Sequence, residues 1–222
     1  MRLEEFAPVD EDLSRRGFLQ GLGAAAATAA TGAQAKFQPT PNSAPAPHKV
    51  VDTPATRTLI DIAKKYIKNP TELAQFMAQC AHETANFTTL SELGGPEHFK
   101  HYDPQFNPGK ARQLGNTQPG DGERYKGRGF LQLTGRDNYR RAGQAIGVDL
   151  EKHPEWLENQ LKIAAYASVW FWLTQVRNKV KNFGNVKQST KPINPALRGL
   201  DDRKQKFANY QAAMKPIKVA SR

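Results

Sequence analysis

Ala81-His82-Glu83-Thr84-Ala85-Asn86-Phe87 closes the most legible helix in the chain. Upstream, Asn69-Pro70-Thr71-Glu72 reads as a helix start. Asn69 can cap, Pro70 suits the first helical position, and Glu72 can reach back to complete a capping box. Leu73, Phe76, Met77 and Cys80 recur at helical spacing and form one apolar stripe. At about 100° per residue, Glu83 falls on the edge of that stripe and His82 points the opposite way. A carboxyl group on the rim of an apolar face is partly desolvated, and desolvation disfavours the charged form. A general acid working near neutral pH needs its protonated form. Position alone favours an ordinary solvated residue in a last turn, so the surrounding sequence has to decide.

Before this helix, the spacing of Leu59, Ile62, Ala63, Tyr66 and Ile67 predicts another over 54–67, with Thr53 as its cap. After it, periodicity fails from Thr84 to Arg124, where Gly94-Gly95-Pro96, Asp103-Pro104, Asn107-Pro108-Gly109 and Pro119-Gly120-Asp121-Gly122 are turn makers. So long an aperiodic stretch inside a compact domain is either functional or hides short helices. Tyr125-Lys126-Gly127-Arg128-Gly129-Phe130-Leu131-Gln132-Leu133-Thr134-Gly135 then suggests a short extended piece. Extended, it would put Phe130, Gln132 and Thr134 on one face and Leu131 and Leu133 on the other. A helix over 136–146 turns Tyr139, Ala142 and Ile146 inward. Asn159 can cap a helix over 160–176 that is apolar nearly all round, the central buried helix of the domain. Its aromatic run Trp170-Phe171-Trp172 reads as core. A basic irregular stretch runs to Pro195, and a last helix over 201–214 buries Phe207, Tyr210 and Met214.

The chain has 222 residues and a formal net charge of +11, which favours anionic partners without choosing among them. Its one cysteine, Cys80, cannot form an internal disulfide and reads as a small buried hydrophobe. Near the amino terminus, Ser14-Arg15-Arg16-Gly17-Phe18-Leu19-Gln20 resembles the twin-arginine export signature, with Gln20 where Lys is usual. An alanine-rich run follows, and Ala33-Gln34-Ala35 has the small-x-small form of a processing site. The domain reading is therefore a signal segment over 1–35, a proline-rich linker over 36–52, a folded domain over 53–215 and a basic tail over 216–222. Export would place the folded domain in the periplasm or outside the cell.

Taken together, the residues resemble glycoside hydrolase family 19, and within it the compact phage-endolysin and bacterial branch. AHETANFTTLSE (81–92) resembles the family's His-Glu segment, and YKGRGFLQLTGRDNY (125–139) its most recognisable run. The aromatic helix sits where the family's core helix does. Ile193-Asn194 with Gly199-Leu200-Asp201-Asp202-Arg203 resembles the closing segment. The resemblance implies a mainly α, lysozyme-like α+β glycosidase fold, with a small strand element and a long loop lining a cleft. It implies Glu83 as catalytic acid and Glu92 as the second carboxylate. It also implies a sugar groove formed by His82, Tyr125, Arg128, Gln132, Thr134, Asn138 and Asn194, with Arg203 organising the cleft. Two departures stand out. The usual Asn-Gly-Gly is Asn194-Pro195-Ala196, and Leu93 follows Glu92 where relatives often have Asn, which leaves Glu97 and Asp103 as alternative bases.

The reaction implied is two-carboxylate hydrolysis of β-1,4 links in peptidoglycan or chitin, with inversion and without metal or cofactor. A short-looped, basic, exported form fits peptidoglycan and an anionic wall surface better than chitin; the unexported alternatives are the host cytoplasm until lysis, or a virion. A zinc peptidase would need a second histidine four residues beyond His82, where Asn86 stands. His98 and His101 have helical spacing but lie in the turn-rich stretch. Lys and Arg are spread along the chain without a nucleic-acid motif, so a specific nucleic-acid binder is disfavoured. A cell-wall-binding or virion protein that keeps the fold without the activity is the rival from another class. Nothing in the sequence points beyond a monomer.

Overall fold

The computed structural model describes residues 50–214. The signal segment, most of the linker and the tail lie outside the described residues. Helix α1 (Pro54–Tyr66) begins on a true capping box, in which Thr53 and Thr56 each accept from the other's backbone N–H. Helix α2 (Pro70–Glu83) is capped by Asn69, whose side chain accepts from the N–H groups of Thr71 and Glu72. Glu72 does not close a capping box. Its carboxylate is buried and accepts from Trp172 Nε1 at 2.9 Å and Arg177 Nε at 2.6 Å. The buried carboxylate takes a guanidinium and a buried indole N–H in preference to a backbone amide, because the charge and the indole would otherwise be unpaired away from water.

The stretch read as aperiodic holds short helices: α3 (Pro96–Phe99) running into a 3₁₀ turn (Lys100–Tyr102), α4 (Pro108–Leu114) and α5 (Asp121–Arg124). Prolines open α3 and α4, where a missing N–H costs nothing. Helix α6 (Arg136–Ile146) buries Tyr139, Ala142 and Ile146 as expected. Arg136 ties its first turn to Asp121, at 2.5 Å and 2.9 Å. Burial alone would raise the Asp121 carboxyl, but Arg136 and the N–H groups of Gln118 and Thr117 hold it below its ordinary value.

Asn159 closes a short α7 (Trp156–Asn159) rather than capping the next helix. Helix α8 (Leu161–Phe171) continues as a π turn (Trp172–Val176) and a 3₁₀ turn (Arg177–Lys179). Every residue from Ile163 to Trp170 is buried, and α8 packs against α1, α6 and α7. Trp172 is fully buried against Phe76, so the aromatic run is core. Helix α9 (Val186–Thr190) lies within the basic stretch, and α10 (Leu200–Ala213) packs along α2.

The fold is thus mainly helical. The strand element reduces, among the described residues, to isolated antiparallel bridges, Ser91 with Arg128 and Arg128 with Leu133. Residues 129–132 form a turn, not a strand, and Phe130, Leu131 and Leu133 all go to the core. Helix α2 is also less one-sided than its apolar stripe implied: everything from Glu72 to Ala81 is buried, including Gln75 and Gln79. The reason is that α10 packs along it while α1 and α9 also touch it and Trp172 packs on Phe76. Cys80 is fully buried, and burial raises its thiol well above the ordinary value, so it stays protonated and inert.

Candidate active site

The end of α2 is built by Thr84. Its hydroxyl donates to Cys80 O at 2.6 Å and accepts from Phe87 N at 3.0 Å. The chain then passes through Ala85, Asn86 and Phe87 with φ of 47°, 61° and 64°. Left-handed backbone costs an ordinary L-residue about 1–2 kcal/mol, so consecutive cases persist only where surroundings enforce them. Here Asn86 N bonds back to Ala81 O at 2.7 Å and the Phe87 ring packs on Phe130. Both His82 and Glu83, in the last turn of α2, reach α10, which packs along that helix, and this corrects the expectation that they diverge. His82 Nδ1 meets Asp202 Oδ2 at 2.5 Å, and Glu83 Oε1 accepts from Arg203 Nη2 at 2.5 Å.

Glu83 does not sit in a simple apolar seat. Arg203, 1% exposed, spans Glu83, the side-chain oxygen of Gln79 and Arg198 O. Gln79 in turn donates to Thr190 Oγ1 at 3.1 Å. The carboxylate is therefore fixed by a buried chain that reaches α9. Beside it, burial alone would raise the Asp202 carboxyl, yet Lys206 and His82 hold it below its ordinary value.

Glu92 is held from a different direction. Its Oε1 accepts from Tyr102 Oη at 3.1 Å and pairs with His98 Nε2 at 3.0 Å, and its Oε2 accepts from Gly127 N at 2.8 Å. Its own N–H bonds Gly127 O at 2.8 Å, so backbone and side chain both register on the 127–134 turn. Burial and the charge of Glu92 push the Tyr102 phenol well above its ordinary value, so it remains a donor.

Glu83 and Glu92 line one cleft of about 460 Å³ together with His82, Tyr102, Gln132, Thr134 and Asn194. Glu97 and Asp103 do not line this cleft. The Glu97 side chain is 81% exposed and pairs with Lys100 outside the cleft. Asp103 is buried and accepts from Gln105 N and Gly120 N, a turn-forming role.

Of the expected groove residues, Gln132 lies in the left-handed region at φ 51°, its amide anchored on Gly129 O at 3.1 Å. Thr134 donates to Gln132 O, and Asn138 donates to Thr134 O from behind, so Asn138 supports the wall rather than lining it. Tyr125 and Arg128 are not in the groove. Tyr125 is 1% exposed and donates to Glu151 O. Arg128 is buried, bonded to Glu158, Tyr139 Oη and Arg124 O. The glycines flanking Arg128 let the turn fold tightly, which sends this side chain inward. Asn194 lines the cleft despite the Pro195-Ala196 departure. His98 and Tyr102 were missed as partners of Glu92. The helical spacing of His98 and His101 was the signal, and the prolines around it concealed a real helical turn.

Gly127 is where the site is tightest. A Cβ there would stand 3.0 Å from both Glu92 Oε2 and Gln132 Oε1 and 3.3 Å from Thr134 Oγ1. Gly127 is not among the positive-φ glycines, so alanine is acceptable to the backbone and the conflict is steric alone. Gly127→Ala should lower kcat by roughly ten- to a hundred-fold through displaced oxygens. Its melting temperature should fall by only a few degrees, which steady-state kinetics beside circular dichroism would check.

A helical domain with a cleft carrying two separately clamped carboxyl groups is the class of glycoside hydrolases of lysozyme and chitinase type. A glycoside hydrolase family 19 model, described as chitinase class I, matches residues 55–194. The chain belongs to glycoside hydrolase family 19. It is 32% identical over 164 residues to a glycosyl hydrolase family 19 domain-containing protein of Haemophilus influenzae, covering 64% of this chain and 80% of that one. It is 37% identical over 130 residues to the acidic endochitinase SP2 of Beta vulgaris, covering 58% of this chain but 42% of the plant protein. Chitinase C of Streptomyces griseus superposes with a TM-score of 0.53 at 25% identity, over 72% of this chain and 80% of that one. A bacterial family 19 chitinase gives 0.55 at 24% identity, over 73% and 86%, which speaks to the fold alone.

Proposed function

We propose that this glycosidase hydrolyses β-1,4 links in the glycan strands of peptidoglycan, with Glu83 as general acid and Glu92 as general base. The observation that carries the reading is the shared cleft, in which each carboxyl group is clamped by its own set of partners. Glu83 gives its proton to the glycosidic oxygen as the bond from C1 to that oxygen breaks. Glu92 takes a proton from the water whose oxygen bonds C1 from the other face. Configuration inverts, and the pair would lie roughly 6.5–9.5 Å apart. Arg203 faces the carboxylate that Glu83 becomes after donation. Tyr102 and His98 occupy Glu92 Oε1, which leaves a lone pair of Oε2 for the water. Gln132 and Thr134 supply polar atoms on the same wall.

Peptidoglycan ranks ahead of chitin because the chain is basic and carries an export-type signature, and the wall is anionic. The reading takes the Ser14–Gln20 signature as an export signal and the enzyme as a monomer. Chitin is the second reading, favoured by relatives named as endochitinases. The full chain and its Glu92→Gln variant are to be incubated with purified sacculi and with chitin hexamer, and products read by mass spectrometry. New reducing ends from sacculi, lost in the variant, are expected. Cleavage confined to chitin would transfer the substrate assignment. Cleavage of neither by a folded protein would remove the enzymatic reading in favour of a wall-binding one.

A further inference from the structure

Between Glu158 and Asp201 the sequence contains no acidic residue. In the same interval Lys179, Lys181, Lys187, Lys191 and Arg198 are all exposed. Among the described residues none of these five cations takes part in an ion pair. Arg177 does: it is spent on buried Glu72 and on Tyr66 O at 3.1 Å, which pins the start of the stretch to the end of α1. There the exposed Lys64, Lys65 and Lys68 extend the positive surface.

The stretch is held in place rather than trailing. The Gln188 side chain accepts from the backbone N–H of Lys181 at 3.0 Å and of Asn182 at 3.2 Å, docking the loop on α9. Lys191 caps α9, and Asn194 N bonds Thr190 O at 2.7 Å. Asn194 is already a cleft residue. A track of unpaired cations therefore runs along α9 and stops at the cleft rim. The cleft lining itself contains Glu83 and Glu92 and no lysine or arginine.

We infer that this track, Lys179–Lys181–Lys187–Lys191 with Arg198, is a docking surface for a polyanionic glycan, and that its charge partner is the carboxylates of peptide-bearing wall strands. The inference rests on the glycosidase reading and deepens it by naming what the enzyme selects. Chitin is uncharged and gains nothing from such a surface. A strand carrying carboxylate-bearing peptides gains attraction along its length while its sugar backbone enters a cleft that has no cation of its own. Lysine suits this task, since a mobile, hydrated point charge follows irregularly spaced anions better than a rigid fork.

Two full-length variants separate placement from net charge. One is Lys179→Gln/Lys181→Gln/Lys187→Gln/Lys191→Gln. The other removes as many charges elsewhere: Lys110→Gln/Arg112→Gln/Arg141→Gln/Lys152→Gln. Co-sedimentation with sacculi is measured from low to moderate salt, with hydrolysis of neutral chitin hexamer alongside. The track variant should bind sacculi roughly ten- to a hundred-fold more weakly at low salt, with a flattened salt dependence. The control variant should bind nearly as the parent does, and hexamer hydrolysis should be unchanged in both. Equal weakening in the two variants, or none in either, overturns the inference. Sacculi stripped of peptides by an amidase should lose the parent's salt-sensitive binding. If binding survives that treatment but not removal of phosphodiester polymers, the carboxylate assignment is wrong. Because sedimentation needs no turnover, these arms decide the docking surface even if no substrate is cleaved.

Discussion

If Glu83 is the general acid proposed above, Glu83→Gln should lower glycan turnover by roughly 10²–10⁴-fold, the range usual for a lost general acid. The amide keeps the size of the carboxyl and can still accept from Arg203, but it has no proton to give. The loss should depend on the leaving group. A substrate whose aglycone departs as a stable anion needs little protonation, so an aryl glycoside should be cut with a far smaller deficit than a glycan strand. Uniform loss on both would instead mean that Glu83 is structural. The control is stability: the change leaves the buried Arg203 guanidinium opposite a neutral group, at a cost of about 1–3 kcal/mol. Thermal denaturation therefore has to accompany the kinetics, which are to be taken well below the transition.

Arg203→Met, a change buried behind the cleft wall, should produce the largest loss of stability of any single change around the site. The guanidinium joins Glu83, Gln79 and Arg198 O at the α2–α10 interface. Methionine fills much of the space and satisfies none of these acceptors. Breaking a buried pair from one side typically costs about 3–5 kcal/mol. For a domain of this size that is a fall in melting temperature of roughly 10 °C, readable by calorimetry. Arg203→Lys should recover only part of it, since one ammonium cannot reach three acceptors arranged for a planar fork. Below the transition both variants should also show reduced kcat, because Glu83 loses its fixed orientation. An Arg203→Met protein as stable as the parent would sink the account of this interface.

Much of this was legible in the sequence because periodicity and capping report local physics. Helices α1, α2, α6, α8 and α10 follow from their apolar spacing and from Thr53, Asn69 and Pro70. The pairing of Glu83 with Glu92 came from family resemblance, and the structure adds that both line one cleft while Glu97 and Asp103 do not. What spacing could not report was direction. Gln132 in a left-handed turn, Arg128 facing the core and His82 swung toward Asp202 all depend on φ values and distant partners. Glu72 shows the same limit: its sequence neighbourhood advertises a cap, while its actual partners, Trp172 and Arg177, lie a hundred residues away in the chain. The helices within 96–124 escaped because prolines that open helices and prolines that interrupt them are the same residue.

The left-handed run Ala85–Phe87 has a consequence for redesign. An ordinary loop between acid and base would absorb an inserted residue by bulging outward. This one cannot lengthen by degrees, because its direction of winding is opposite to that of the helix it leaves and each of its N–H groups is seated on the end of α2: Ala85 on His82 O, Asn86 on Ala81 O and Phe87 on Thr84 Oγ1. The gap between the two carboxyl groups is therefore set as a stencil sets a hole. A designer who wants a different gap, for instance one short enough for a retaining reaction, must shift the 127–134 turn on which Glu92 is registered and leave the link alone.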